Sequence, residues 1–282
     1  MSRQNDRNAP NRRPHWRGGS GSGGERRSGP ARPAPDMPEG VPLIFGFHAV
    51  EAALANPARV VVKAFMTENA ENKLAAGLTQ RGLVVVRVSP RDLDKRLGAD
   101  TVHQGALLEV QDLEEPDFAE LARLADGKPL LVLDHVTDPH NVGAILRSAA
   151  VFGAAGIVMT RRHSPPLNGV VAKAASGALE LVPVARVQNL GRALSELKSA
   201  GFIIVGLDGD ASDLIEEMAW PPAVALVLGA EGKGMRDLTG STCDRLVRVA
   251  QDGPLNSLNV SNAAAIALHT AALGRRGLLG SR

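Results

Sequence analysis

The chain has one cysteine, Cys243, in 282 residues. That excludes a disulfide framework and points to a reducing, cytoplasmic setting. A lone thiol of this kind reads as a small buried apolar group rather than a nucleophile. No apolar stretch approaches the length needed to cross a bilayer, so no membrane role is expected. The amino-terminal stretch has no apolar core of a secretory signal. Neither a dinucleotide fingerprint nor a P-loop is present, which argues against a nucleotide-dependent oxidoreductase on a conventional doubly wound sheet. The histidines lack metal-ligand spacing: His135 and His140 are separated by a proline-containing loop with no cysteine beside them. No metal is expected.

Charge is placed unevenly. Residues 1–35 hold eight arginines against Asp6 and Glu25, a surplus of +6, while the whole chain carries +2. The remainder therefore sums to −4. The segment 1–40 is rich in Gly, Pro, Ser and Arg and holds almost no large apolar residue except Trp16, so it is expected to be a disordered tail. An Arg/Gly tail near a tryptophan can hold RNA loosely through phosphate attraction and stacking.

The rest alternates between helical and strand patterns. Residues 41–112 read as a small α/β domain, with helices from about His48, over Ala70–Arg81 and over Pro90–Leu97, and strands at Val60–Met66, Leu83–Val88 and Ala106–Val110. Residues 113–128 form a linker with a helix at Phe118–Ala125. Residues 129–282 form a second domain with strands from Leu130 and at Gly156–Met159, Phe202–Leu207, Ala223–Leu228 and Arg245–Val249. Its helices are expected at Asn141–Phe152, Leu190–Ala200 and Val260–Leu273. Such alternation predicts a parallel sheet covered on both faces.

Three segments of the second domain stand out. The first is the apolar run Leu130–Leu133 ending in Asp134, then a loop with Asp138-Pro139, then a helix carrying Asn141 and Arg147. Asn141 thus lies at a strand's carboxyl end, where open α/β sheets bind ligands. The second is a buried strand followed by Gly229-Ala230-Glu231-Gly232-Lys233-Gly234-Met235. Its glycines permit positive φ and close backbone approach. The Glu within the loop would repel pyrophosphate, so a ligand with a neutral or cationic surface suits it better. The third is Asn256-Ser257-Leu258-Asn259-Val260-Ser261 ahead of an alanine-rich helix, which offers more polar side chains than one cap needs.

Together, in this order and spacing and each after a strand, the three segments resemble the motifs of the SpoU-type RNA ribose 2′-O-methyltransferases of the SPOUT class. The resemblance covers roughly residues 129–274. Residues 44–54 and Val102-His103-Gln104-Gly105-Ala106 resemble the front domain of a subgroup that methylates a guanosine of large-subunit (23S) ribosomal RNA. The resemblance implies a small amino-terminal, ribosomal-protein-like α/β domain that binds RNA. It also implies a carboxyl-terminal parallel-sheet domain tied into a trefoil knot, S-adenosyl-L-methionine bound in the knot loops, and a homodimer through that region.

Carried over by the resemblance, the cofactor contacts fall on backbone groups of Gly229 after the fourth strand, Val249 after the fifth, and Leu258, with Glu231 and Gly232 in the glycine loop. Arg147 falls on the catalytic arginine, and Asn141, Glu231, Ser257 and Asn259 on its polar companions. A guanidinium is effectively always protonated, so Arg147 suits phosphate binding and stabilisation of a developing alkoxide better than simple base chemistry. The plain alternatives are helix capping for Asn141, Ser257 and Asn259, packing for Val249 and Leu258, and a surface ion pair for Arg147. Lys173 and Arg161-Arg162 are read in a loop, free to meet phosphate. Transfer RNA is the alternative substrate, which the front domain disfavours. A non-catalytic RNA-binding protein on the same fold is disfavoured because all five polar positions are intact.

Overall fold

The structure is a computed structural model that describes residues 40–254 and 257–279. The tail expected over 1–40, apart from Gly40, lies outside the described residues, as does Asn256.

Residues 43–110 build a small sheet. Strands β1 (Leu43–Phe45), β2 (Val61–Met66), β3 (Val85–Arg87) and β4 (Ala106–Val110) run in the order β1-β4-β2-β3. Strand β4 is antiparallel to both neighbours, and β2 is parallel to β3. The sheet is thus mixed, and its edge strand β1 is too short to have shown an alternating pattern. Helices α1 (Phe47–Ala55), α2 (Glu68–Gln80) and α3 (Pro90–Leu97) connect the strands. Helix α3 starts where the sequence requires: Ser89 and Asp92 form a reciprocal capping box around Pro90. Gln104 ties the end of this domain to its beginning, its side-chain oxygen accepting from Phe47 N at 2.9 Å.

After α4 (Phe118–Arg123), the second sheet comprises β5 (Leu130–Leu133), β6 (Gly156–Thr160), β7 (Val184–Val187), β8 (Ile203–Leu207), β9 (Asp213–Leu214), β10 (Val224–Leu228) and β11 (Arg245–Arg248). All neighbours are parallel, in the order β7-β6-β5-β10-β8-β11-β9. The sheet has seven strands rather than the expected five, because β7 and the two-residue β9 carry no long apolar run. Gly229 therefore follows the sixth strand of this sheet, β10, and Val249 the seventh, β11. Helices α5 (Pro139–Phe152), α6 (Gly169–Ala175), α7 (Leu190–Ser199), α8 (Asp237–Thr242) and α9 (Val260–Arg275) complete the domain.

Strand residues alternate between two covered faces, as the period of a strand demands. Leu131 and Leu133 join a cluster that includes Ile145 of α5, Ala172 of α6 and Leu268 of α9. Leu130 and Val132 join another, with Leu121 of α4 and Leu194 of α7. The first cluster continues into the front domain through Val50 and Leu108, so the two sheets share one continuous core. A buried ion pair reinforces that junction: Arg59 Nη2 lies 2.7 Å from Glu180 Oε1, both side chains only 2% exposed. Lys173, expected in a free loop, instead lies in α6 and donates to the carbonyl of Val102 across the same junction. Among the described residues, no helix is long and apolar enough to cross a membrane.

Candidate active site

The sheet order reverses between β5 and β10: from β5 the chain steps outward to β6 and β7, and the later strands fill the other side. The crevice at the carboxyl ends beside such a reversal is where open α/β sheets bind ligands. All three sequence segments converge there.

The first segment leaves β5 through Asp134, which is 1% exposed. Asp134 accepts from Arg236 twice, from the backbone N at 3.1 Å and from Nε at 2.8 Å, and forms an ion pair with Nη2 at 2.7 Å. This fixes the loop after β5 against the end of the glycine segment. Helix α5 begins at Pro139, two residues earlier than expected, because Asp138 rather than Asn141 is the cap, accepting from His140 N at 2.8 Å. Asn141 therefore sits inside the first turn, 7% exposed, its amide turned to other partners.

The second segment folds into a closed loop after β10. Ala230 and Gly234 exchange backbone hydrogen bonds of 3.0 and 2.9 Å. The turn is possible because Gly232 and Gly234 adopt φ of 73° and 65°. Gly229 has no room for a side chain: a Cβ there would lie 2.1 Å from the carbonyl carbon of Gly234. Glycine here is thus a packing requirement of the loop.

The third segment supplies the junction. Asn259 caps α9, its side-chain oxygen accepting from Ser261 N at 2.9 Å and Asn262 N at 3.4 Å. Its amide nitrogen donates to Asn141 Oδ1 at 3.0 Å and also to the Glu231 carboxylate. One side chain so joins the helix after β5, the loop after β10 and the helix after β11. Capping and bridging are both true of Asn259, since its oxygen does the first and its nitrogen the second.

Beside this junction lies a cavity of about 390 Å³, lined by Gly229, Gly232, Val249, Ser257 and Leu258 among others. Leu258 is 43% exposed, so plain core packing does not describe it. Asp208 and Gly209, beyond the end of β8, also line the cavity. Sequence reading missed them, although the rule that ligands meet carboxyl ends of strands could have flagged them. Glu216 was missed too; its carboxylate accepts from Ala250 N at 3.2 Å and holds the loop after β11. A larger space, about 1050 Å³, lies between the front domain, the connector and β7, away from these segments. The smaller cavity is the better site because the second and third segments line it, and Asn259, between the lining residues Leu258 and Val260, ties it to Asn141 of the first.

Arg147 is the outlier. It is exposed and makes no hydrogen bond or ion pair among the described residues, so the surface ion-pair alternative does not hold there. Six positions beyond Asn141, it stands roughly 9 Å further along α5. The structure does not join it to the Asn141–Asn259–Glu231 cluster. Cys243 is partly buried beside α8, and burial pushes its thiol up to about 11, which suits an inert group.

Fold and site define an α/β protein with a cavity walled by glycine-rich backbone at the carboxyl edge of a parallel sheet. Comparison with known proteins makes the assignment specific. Residues 128–269 match the SpoU rRNA Methylase family, and residues 43–116 match the RNA 2′-O ribose methyltransferase substrate binding family. The 23S rRNA (guanosine-2′-O-)-methyltransferase RlmB of Salmonella typhi is 39% identical over 236 residues, covering 81% of this chain and 97% of that protein. The RlmB of Haemophilus influenzae is 39% identical, covering 80% and 94%. Among solved structures, the SpoU methyltransferase AviRb from Streptomyces viridochromogenes superposes with a TM-score of 0.72 at 21% identity, over 86% of this chain and 92% of that one. An AdoMet-bound rRNA methyltransferase from Sinorhizobium meliloti gives 0.69 at 24% identity, over 85% and 88%; at such identities these two speak for the fold. The chain belongs to the SpoU rRNA methylase family.

Proposed function

We propose that this protein transfers the methyl group of S-adenosyl-L-methionine to a ribose 2′-hydroxyl of RNA, with a guanosine of 23S ribosomal RNA as its substrate. The observation that carries the reading is the Asn259 amide, which bonds to Asn141 and Glu231 at the edge of the cavity. The names of the curated relatives, similar over four-fifths of this chain, support the substrate.

The residues present fit the cofactor. A cavity of about 390 Å³ is within the usual range for small-molecule sites. Gly229 brings bare backbone to its wall, where a Cβ would collide with Gly234. The backbone of Gly229, Gly232, Val249 and Leu258 would hold the cofactor, and the nearby Glu231 carboxylate favours a cationic neighbour over a phosphate. S-adenosyl-L-methionine supplies, when bound, a methyl group already activated on a sulfonium centre. The protein's task is then alignment, since an in-line displacement gains most from fixed geometry. Asn141, Asn259 and Glu231 lock the three loops and so fix the frame in which the hydroxyl would be aligned, and Ser257 offers a neutral hydrogen bond at the cavity wall. Arg147, unpaired among the described residues, binds the phosphate beside the target ribose and stabilises the oxygen as its proton leaves to solvent.

In this reading residues 41–112 grip the RNA, 113–128 link, and 129–282 carry the chemistry. The chain works as a homodimer through a trefoil-knotted carboxyl-terminal region. In support, α9 packs on α5, where Phe152 and His269 stack at 5.4 Å. A dimer also brings a second surface to the exposed Arg147.

The test is Arg147→Ala, assayed for S-adenosyl-L-methionine binding by calorimetry and for label transfer to transcripts of 23S ribosomal RNA and bulk transfer RNA. Intact binding with transfer reduced at least a hundredfold is expected, and the unsubstituted chain should label ribosomal RNA. Equal loss of binding and transfer would refute the role of Arg147, and label on transfer RNA alone would overturn the substrate.

A further inference from the structure

Two histidines at the carboxyl edge of the second sheet share an unusual backbone. His135, directly after β5, has φ 57°, and His163, in the turn after β6, has φ 63°. This left-handed region disfavours L-residues, and it persists where surroundings enforce it, often at functional sites. Here it places the two rings in a stack, centroids 4.8 Å apart and planes 29° from parallel. His163 is exposed and His135 half-buried. Among the described residues neither ring makes a hydrogen bond or an ion pair, so neither is explained as a structural fastener. Burial, then the nearby Arg236 guanidinium, hold His135 below the usual imidazole value, so the inner ring is neutral near neutral pH.

The position matters as much as the stack. The cofactor-sized cavity lies over β10, β8 and β11. The histidine pair lies over β5 and β6, on the other side of the Asn141 junction. β5 is the direct neighbour of β10, so the pair stands at the carboxyl edge beside the strand from which the cavity wall begins. Arg162, exposed beside His163, adds a cation at the same edge.

We propose that His135 and His163 form a stacking platform for an unpaired RNA base next to the methylated nucleotide. The chemistry suits single-stranded RNA, whose splayed bases stack on aromatic side chains, with a neighbouring arginine on the phosphate. The proposal rests on the reading of this protein as an RNA methyltransferase.

Three variants test it. His163→Ala removes the outer ring. His163→Phe keeps the stacking face and discards the ring nitrogens. His135→Gly removes the inner ring and relieves its backbone, so loss of folding is not expected. Anisotropy with a fluorescent single-stranded RNA oligomer, and with the same sequence base-paired, is measured alongside methyl transfer. Loss of stacking on one base predicts about a tenfold rise in the single-strand Kd and in the KM for RNA for His163→Ala and His135→Gly. His163→Phe should return both to within about twofold, and the base-paired Kd and cofactor affinity should not move. Unchanged single-strand binding in both ring-removing variants would overturn the platform, as would a Phe variant as weak as Ala. Transfer by the unsubstituted chain judges the methyltransferase reading separately: if it binds the oligomer but methylates no RNA, that reading fails while the binding ratios still decide the platform.

Discussion

The amide nitrogen of Asn259 donates to the amide oxygen of Asn141 at 3.0 Å, across 118 positions of sequence. That bond joins the helix after β5 to the helix after β11, and the same nitrogen reaches Glu231 after β10. Capping and bridging can be separated by substitution. Asn259→Ala loses both and should cost about 1 kcal/mol from the cap alone. Asn259→Asp keeps an acceptor for Ser261 N but presents no donor to Asn141 and a like charge to Glu231. Both variants should lose methyl transfer at least tenfold, while only the first loses the cap. Thermal melts read the cap and label incorporation reads the bridge; full activity in the Asp variant would show that the bridge does not matter.

Gly229 makes a sharper structural demand. Its missing Cβ would fall 2.1 Å from backbone of Gly234, which cannot yield as a flexible side chain could. Gly229→Ala should open the loop that closes through Ala230 and Gly234. About 1–3 kcal/mol of stability is expected to go, the usual range for overpacking. Cofactor affinity should drop more than tenfold in calorimetry with the circular dichroism spectrum retained.

The junction between the two sheets rests on Arg59 and Glu180, whose side chains are each 2% exposed. Glu180→Ala leaves the Arg59 guanidinium buried with only the carbonyl of Gln111 at 2.8 Å and no carboxylate. About 3–5 kcal/mol of destabilisation is expected, as for other broken buried pairs. Urea titration should show it, and replacing both partners with apolar residues should recover part of the loss.

Asp244 gives a pH dependence with a definite sign. Burial pushes its carboxyl up, but the hydrogen bond from Lys198, the backbone N–H of Ile204 and the Lys198 charge together hold it below the usual carboxylate range. A group lower in the folded than the unfolded chain stabilises above its unfolded value, about 3.9, and loses that as pH falls through its folded value. Stability should thus decline below about pH 4 in the unsubstituted chain. Asp244→Asn should flatten that decline in melting curves taken across the acid range.

Cys243 should be slow toward alkylating agents. With its thiol at about 11, the thiolate fraction at pH 8 is roughly a hundredfold below that of an ordinary cysteine. Native and urea-unfolded protein compared with iodoacetamide should differ by at least that factor. Equal rates would mean that the thiol is not shielded.

Much of this was legible because it is local. Helix α3 is bounded by Ser89, Asp92 and Pro90, and β4 starts after Gly105 with the apolar run Ala106–Leu108. The strands β5 and β10 are continuous apolar segments, as parallel strands buried on both faces must be. Other elements depend on partners that no window contains. Strand β7 carries Arg186 because Glu115, 71 positions away, receives its charge. Strand β9 is two residues long and exists through β11. Helix α6 lacks a side-chain cap, so Lys173 looked like a loop residue. At the site, the polar residue types and their order were readable. The bridge through Asn259 and the hold of Asp134 on Arg236, 102 positions apart, were not, because they arise when loops from separate strands meet.

The most direct test is to react the protein with S-adenosyl-L-methionine carrying a trideuterated methyl and unmodified 23S ribosomal RNA, then digest the RNA to nucleosides for mass spectrometry. The heavy methyl on the ribose of a guanosine is the predicted result. A heavy methyl on a base, or none while the cofactor binds the protein and intact RNA is present, would contradict it.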